Sequence, residues 1–450
     1  MTNSSYFIAS LLFLASCSSG GGSSWEKSIY LDHAASWGID DDALIEFLKV
    51  SRLHGNSSGI NPHAKRLKKL EEQSARVIAN KIHADHSDQI HFTNGATTAN
   101  NIAILGVAYK NPKCHLITSK IEHKSVLNVF KHLESLGYRV TYLNVDNHGV
   151  VDLNQLRNSI CSDTKLISIQ MFNSEIGTLQ DIEMIGKIAK EHGVSFHTDA
   201  AQSFCKYDIN VKDMNIDLLT ISGHKIGAPK GIGALYVRNI RKLQPLMFGS
   251  GDLLFPGTKP MPLICAFTKA VENFKLSRER INSNFYILIR ELLKIENVYV
   301  NSSTPSNIVS VSLGGVLLSD ILEQMKDYSF SAGCSCLGQN RSDVIAAIDP
   351  SDKLPPCTIR ISFSDRTNKG QLIDFAKKLK SVVEQLRKEK SIGKGCESTD
   401  VKQKDLQKSL DNIQKLLGKK DRVMNGISNK DRYSEFLAKH QFQPILPTVM

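Results

Sequence analysis

The chain has 450 residues, of which 41% are hydrophobic and 22% charged, so it is long enough and apolar enough to bury a large core. Its formal charge of +11 would attract polyanions, yet no helix-turn-helix, zinc-finger or aromatic RNA-binding pattern accompanies it, and direct nucleic-acid binding is not expected. Nine scattered cysteines with no paired CxxC motifs argue against a structural metal site and fit free thiols in a reducing compartment.

In chain order, residues 1–27 read as a hydrophobic extension followed by a Gly/Ser tether. The apolar run Tyr6 to Ala15 is too short to cross a bilayer but matches the core of a signal peptide, and Leu14-Ala15-Ser16-Cys17 resembles a lipoprotein cleavage site. No Lys or Arg precedes that run, so the expectation is a cytoplasmic protein, with tethering or export through this segment as the alternative. Residues 28–271 alternate β-branched runs with helical stretches. Strands are expected at Gln89–Thr93, His115–Thr118, Arg139–Val145, Lys165–Phe172, Val194–Thr198, Leu218–Ile221 and Gly233–Arg238, with helices at Ala96–Tyr109, Ser125–Leu136 and Glu183–His192. Such βαβ alternation implies an α/β domain with a mostly parallel sheet, and ligands in such sheets bind beyond the carboxyl ends of the strands. From 272 to 390 a long helix, the short strands Ile308–Leu313 and Thr358–Phe363 and a closing helix read as a smaller α+β domain. Residues 391–450 are Lys-rich; Leu406, Leu410, Ile413 and Leu417 recur at helical spacing, which fits either an amphipathic helix or a solvated tail.

Three segments carry candidate chemistry. In Thr220 to Val237 a strand runs into a turn bearing Ser222, His224 and Lys225, then into Gly-rich backbone and a second strand. A lysine at a strand's end can be desolvated and form a Schiff base; alone it reads equally well as a surface lysine. Asp199 ends the apolar strand that precedes it, where an ionised carboxylate suits a buried cationic partner or a plain helix cap. In Phe92 to Asn101 a strand, a Gly turn and a helix start expose backbone N–H groups that favour phosphate, a pattern that many strand-to-helix turns share. Cys334 and Cys336 form the only close cysteine pair, in a loop of small residues with no third metal ligand nearby.

Taken together, residues from Tyr30 to about Ser364 resemble the class V aminotransferase-like family of fold-type I pyridoxal-phosphate enzymes, most closely its NifS/IscS-type cysteine desulfurases. The resemblance rests on YLDHAAS (30–36), GNSSGINPHA (55–64), FTNGATTANNIAI (92–104), TSKIEHKSVL (118–127), NSEIGTLQDI (173–182), HTDAAQS (197–203), SGHKIGAPKGIGALYV (222–237), PGT (256–258), SAGCSC (331–336) and IRISF (359–363). It implies that pyridoxal 5'-phosphate is carried on Lys225, which also shuttles the Cα proton. By the same resemblance Asp199 would pair with the pyridine nitrogen, His123 would stack on the ring, and Gln202 would bond the phenolic oxygen. Ala96, Thr97, Ser222 and His224 would hold the phosphate, and Thr258 would reach the phosphate of a second subunit in a homodimer. Arg360 would clamp the carboxylate of L-cysteine, and Cys336, with Cys334 as its neighbour, would take the sulfur as a persulfide for a sulfur-accepting protein such as an iron–sulfur scaffold or for thiolated tRNA. Ser174 stands where the family usually has an asparagine that contacts the phenolic oxygen, and GSGDLLFPGT (249–258) lacks the family's usual arginine. The tail does not resemble the family's scaffold-docking segment. Selenocysteine lyase, another class V reaction, or a degenerate binding protein are the alternatives.

Overall fold

The structure is a computed structural model that describes residues 28–332 and 341–392, with side chains as far as 389. The expected extensions at 1–27 and from 393 onward, and both Cys334 and Cys336, lie outside the described residues. In chain order the strands are β1 (Ile29–Tyr30), β2 (Ile90–Thr93), β3 (His115–Ser119), β4 (Arg139–Leu143), β5 (Thr164–Ser168), β6 (Ser195–Asp199), β7 (Leu218–Ser222), β8 (Gly233–Val237), β9 (Val298–Val300), β10 (Ile308–Leu313), β11 (Tyr328–Ser329), β12 (Ser331–Ala332) and β13 (Cys357–Ser362).

A seven-stranded sheet in the order β2-β8-β7-β6-β5-β3-β4 forms the larger part. Only β8 runs against its two neighbours, and the remaining pairs are parallel. Strands covered by helices on both faces read as continuous apolar runs, as Leu218–Ser222 and Gly233–Val237 do. Where polar groups interrupt such a run they are paired: His197, fully buried in β6, bonds Ser168 Oγ at 2.8 Å and Thr220 Oγ1 at 3.1 Å. A second, antiparallel sheet, β12-β13-β10-β9, packs with the helices Arg278–Leu292 and Lys369–Ile392 around its own apolar cluster.

The elements follow the expected alternation with ends displaced by a residue or two, except at the strand expected over Lys165–Phe172. Regular pairing there stops at Ser168. The physical reason is Glu122, whose carboxylate accepts the Gln170 N–H at 2.9 and 3.0 Å where a ladder carbonyl would otherwise sit. On the other side Ile169 and Met171 still donate to β6, at 3.1 and 3.0 Å.

Most helices begin with a side-chain cap, such as Asp40, Asn61, Asp152, Asp181 and Ser277. The helix Ala96–Lys110 differs: its N-cap is Gly95, at φ 143°, with no side-chain cap. Gly233, paired in register with Thr93 on one side and Ser222 on the other, lets Gly95 approach closely. A Cβ built on Gly233 would stand 2.5 Å from the Ile221 carbonyl oxygen and 2.9 Å from Gly95 Cα. We expect Gly233→Ala to destabilise the protein by about 1–3 kcal/mol in urea unfolding, the usual cost of overpacking. Gly38→Ala, at a position with nothing within 4 Å, serves as the near-neutral control.

Candidate active site

The carboxyl ends of β2, β3, β6 and β7 face one edge of the large sheet, and most of the residues singled out above gather there. Lys225 follows β7 on a short 3-10 turn. Its Nζ donates to the carbonyls of Ala34 at 2.5 Å and Ala35 at 2.8 Å, both from the segment that follows β1. Burial, and then the nearby Arg360 guanidinium, lower its pKa to about 8, against the weaker pull of Asp32 and Asp199. A neutral, nucleophilic amine is therefore within reach near neutral pH.

Asp199 ends β6 and is buried, its oxygens fixed by the Ala201 N–H and by Asn100 Nδ2, each at 2.8 Å. Asn100 also donates to Ser125 Oγ at 2.8 Å, which ties Asp199 to the start of the helix Lys124–Ser135. His123 caps that helix, accepting the Ser125 N–H on Nδ1 at 3.1 Å, and its exposed ring stands among groups that lower its pKa chiefly by desolvation. Gln202 is buried; its Nε2 donates to the Ala34 carbonyl at 2.7 Å, the same oxygen that Lys225 uses.

An anion of several oxygens fits the corner between β2 and β7. The first-turn N–H groups of the helix at Ala96 and Thr97 have no intrahelical acceptors, and Gly95 supplies no cap. Ser222 Oγ, across Gly233 from that turn, is buried without a partner. His224 lies within 3.5 Å of Ser36 Oγ; desolvation, then the positive charge of Lys225, lowers its pKa to about 4, so it offers a neutral imidazole. Orphaned donors and an uncapped helix end within a few residues of a desolvated lysine suit a phosphorylated, carbonyl-bearing ligand.

Arg360, on β13, bridges the two sheets. It donates to the Ser174 carbonyl at 3.0 Å, to Asp32 at 2.8 Å and to Ser331 Oγ at 2.8 Å, while its Nε is buried and unpartnered. The Ser174 contact is made by the main chain. Asn173, one residue earlier, spends its amide on Ile121 O and on the N–H groups of Glu175 and Ile176. Thr258 is not brought to this cluster: it is exposed on a separate loop, where Asn56 Nδ2 donates to its Oγ1 at 3.3 Å.

Several participants carried no signal in the sequence. Asp32, Asn100 and the Ala34 carbonyl lie within the quoted blocks but reveal their roles only through contacts about 100 to 330 positions away. Glu122, fully enclosed, has its pKa raised to about 8 by burial, against the Ser119 hydroxyl at 2.5 Å that lowers it; it anchors the turn that presents His123. Lys206, buried beside Gln202, has its pKa lowered to about 7 by burial and then by Lys225.

Residues 29–372 match the family described as Aminotransferase class-V. A curated relative, "Cysteine desulfurase IscS" of Buchnera aphidicola subsp. Schizaphis graminum, is 36% identical over 384 residues, 80% of this chain and 94% of the relative. Among solved structures, "SspA in complex with cysteine" is 38% identical with TM-score 0.67, covering 75% of this chain and 99% of that one. A structure titled "NIFS-LIKE PROTEIN" superposes with TM-score 0.73 at 26% identity, over 80% of this chain and 100% of that one. Among the described residues no helix is long and apolar enough to cross a membrane, and no group of His, Cys, Asp and Glu is arranged to hold a metal ion.

In cofactor-free protein, acetylation of Lys225 followed by peptide mass spectrometry should rise with pH through a midpoint near 8. Because burial disfavours the charged form, the neutral amine appears about two pH units earlier than on an ordinary lysine. A midpoint near that of the exposed lysines would contradict the desolvated setting described here.

Proposed function

The chain belongs to the aminotransferase class-V family, and on that premise we propose that it is a cysteine desulfurase that uses pyridoxal phosphate to take sulfur from L-cysteine. The observation that carries this reading is the desolvated Lys225 amine, held on the Ala34 and Ala35 carbonyls and acted on by the charges of Arg360, Asp32 and Asp199. The residues fit the cofactor: the uncapped helix start, with the orphaned Ser222 hydroxyl, supplies donors for its phosphate, and Asp199 supplies a buried carboxylate for its ring nitrogen.

Pyridoxal phosphate, when bound, supplies a carbonyl that joins amines and a ring that takes up the electron pair released at the substrate's Cα. Lys225 Nζ would hold it and would accept the Cα proton of the substrate. Ala96, Thr97, Ser222 and His224 would bind the phosphate, and Gln202 would donate its amide N–H to the phenolic oxygen. Ser174, shorter than the family's asparagine, would reach that oxygen only through water, whereas its carbonyl keeps Arg360 in place. His123 would stack on the ring. Arg360 orients the L-cysteine carboxylate, for which a guanidinium's paired donors are shaped.

Sulfur transfer is assigned to Cys336. Its thiolate attacks the substrate sulfur, the bond from that sulfur to Cβ breaks as the bond to Sγ forms, and the carbon product takes up protons and leaves as alanine. The persulfide then passes its outer sulfur to an accepting protein such as an iron–sulfur scaffold. That chemistry needs reduced thiols, which favours the cytoplasm, and no disulfide joins the described cysteines.

The same reading includes a homodimer and a division of the chain near residue 271. Ile60, 90% exposed, and Phe248, 86% exposed, flank the adjoining loops that carry Asn56 and Thr258, a surface that a second copy would cover. The division is supported by separate apolar clusters, one reaching Val271 and another that takes in the chain from Ile281.

With L-cysteine as substrate, purified protein should release alanine and sulfide and carry a visible absorbance band. Lys225→Ala should lose both the band and turnover; an unchanged band would refute the assignment of the cofactor-bearing lysine. Arg360→Lys should keep the band but lower kcat/KM for L-cysteine at least ~30-fold, since a buried bidentate contact is worth about 2 kcal/mol or more.

Removing Cys336 separates cofactor binding from sulfur transfer. Cys336→Ala should keep the band while forming little alanine and no protein-bound persulfide by mass spectrometry. Cys334→Ala should retain most activity. The reverse pattern would move the nucleophile to Cys334, and two fully active variants would refute persulfide formation on this loop.

A further inference from the structure

One buried, nitrogen-bearing side chain has no part in the mechanism above. Lys206 is 4% exposed, on the turn that follows β6, with its amine 3.2 Å from Gln202 Oε1 and 5.7 Å from the centroid of the Trp37 ring. Its backbone is held as well: the Lys206 carbonyl accepts from Arg278 NH2 at 2.6 Å, and its N–H donates to Ser203 O at 2.9 Å. A lysine enclosed in this way has lost its hydration, which only partners within the site can offset. The partner it has is the oxygen end of a carboxamide whose nitrogen end meets Ala34 O at 2.7 Å, beside Lys225.

A glutamine amide has one accepting and one donating end, and its neighbours decide which way it faces. Both ends of Gln202 are engaged: Oε1 accepts from Lys206, and Nε2 donates to the Ala34 carbonyl. That carbonyl also accepts from Lys225, so it is shared by two donors. When Gln202 turns its N–H toward a ligand it gives up Ala34, and the bond from Lys206 is then the one that still defines the sense of the amide. We propose that Lys206 is a positioning residue, which by holding Gln202 Oε1 keeps the Gln202 N–H donors facing the cofactor's phenolic oxygen. Burial, and then the like charge of Lys225, lower the Lys206 pKa to about 7, and in its charged form the amine offers donors alone. With the Trp37 ring face on its other side, the Lys206 amine has Gln202 Oε1 as its acceptor among the described residues.

The inference rests on the cofactor assignment given under Proposed function, and the test separates the two. Cofactor-stripped wild type, Lys206→Met, Lys206→Arg, Gln202→Leu and the double variant Lys206→Met/Gln202→Leu are titrated with pyridoxal phosphate. The dissociation constant and the position of the visible band are recorded for each at one pH. Lys206→Met and Gln202→Leu should shift the band in the same direction and each weaken binding about 3- to 10-fold, the size of one hydrogen bond. The double variant should be no worse than the weaker single, because both changes remove the same donor. Lys206→Arg, which retains N–H donors, should restore the wild-type band, an outcome that a purely structural role for the lysine would not produce. If Lys206→Met does not fold, judged by circular dichroism, Lys206→Leu takes its place as the donor-free variant. A wild-type band in the donor-free variant, or losses that multiply in the double variant, would overturn the positioning role while leaving the cofactor assignment intact. Wild type that takes up no pyridoxal phosphate would overturn both.

Discussion

The short segment from Tyr30 to Ser36 is the constraint on which the site depends. Its Ala34 and Ala35 carbonyls hold the Lys225 amine, and Ala34 also holds Gln202. The segment is fastened to the C-terminal part of the chain: Leu31 N donates to Ser329 O of β11, while Ala34 N donates to Ser362 Oγ and Asp32 forms an ion pair with Arg360, both on β13 of the smaller sheet. Two oppositely built sheets, one mostly parallel and one antiparallel, are thereby brought to a common edge. The amine is desolvated because this segment closes over it, and desolvation is the largest cause of its lowered pKa. Packing between the sheets and the reactivity of one side chain are thus the same fact seen at two scales.

How much of this was legible in the sequence depends on how local each interaction is. Lys225 and Asp199 were readable because strand, turn and polar residue follow one another within a few positions. The uncapped helix start after Gly95 was readable for the same reason. Asn100, Glu122 and Lys206 were not, since a buried asparagine, glutamate or lysine looks like any other until its partner is known. The partner of Glu122 is a backbone N–H 48 positions away at Gln170, and that bond also ended a strand which sequence alone extended to Phe172. Expected strand and helix ends elsewhere moved by a residue or two, the scale on which terminal bonds rather than periodicity decide.

Two departures from the family pattern find a physical setting. Ser174 lacks the asparagine amide, yet the interaction with Arg360 at this position uses a main-chain oxygen and survives any side chain. The loop before Thr258, which lacks the family's arginine, carries Asp252 instead. That carboxylate is held by His91 at 3.0 Å and Lys259 at 3.2 Å, all three side chains largely enclosed, and against the penalty of burial the His91 hydrogen bond and the Lys259 charge keep its pKa low. Buried charges left unpaired would cost several kcal/mol, so the triad pins the loop to β2 through His91. The loop is anchored from within the chain.

The fastening of residues 30–36 also bears on the order in which the polypeptide is made. Lys225, Asp199, His123 and the helix start at Ala96 all emerge from the ribosome before β13. The carbonyls that grip the amine emerge earlier still. Yet what holds those carbonyls in place, the Ser362 hydroxyl and the Arg360 guanidinium, lies some 330 positions downstream. A nascent chain that has reached the end of β8 therefore owns every side chain of the large-sheet edge and none of the clasp. The clasp on residues 30–36 is complete only once translation has passed residue 362.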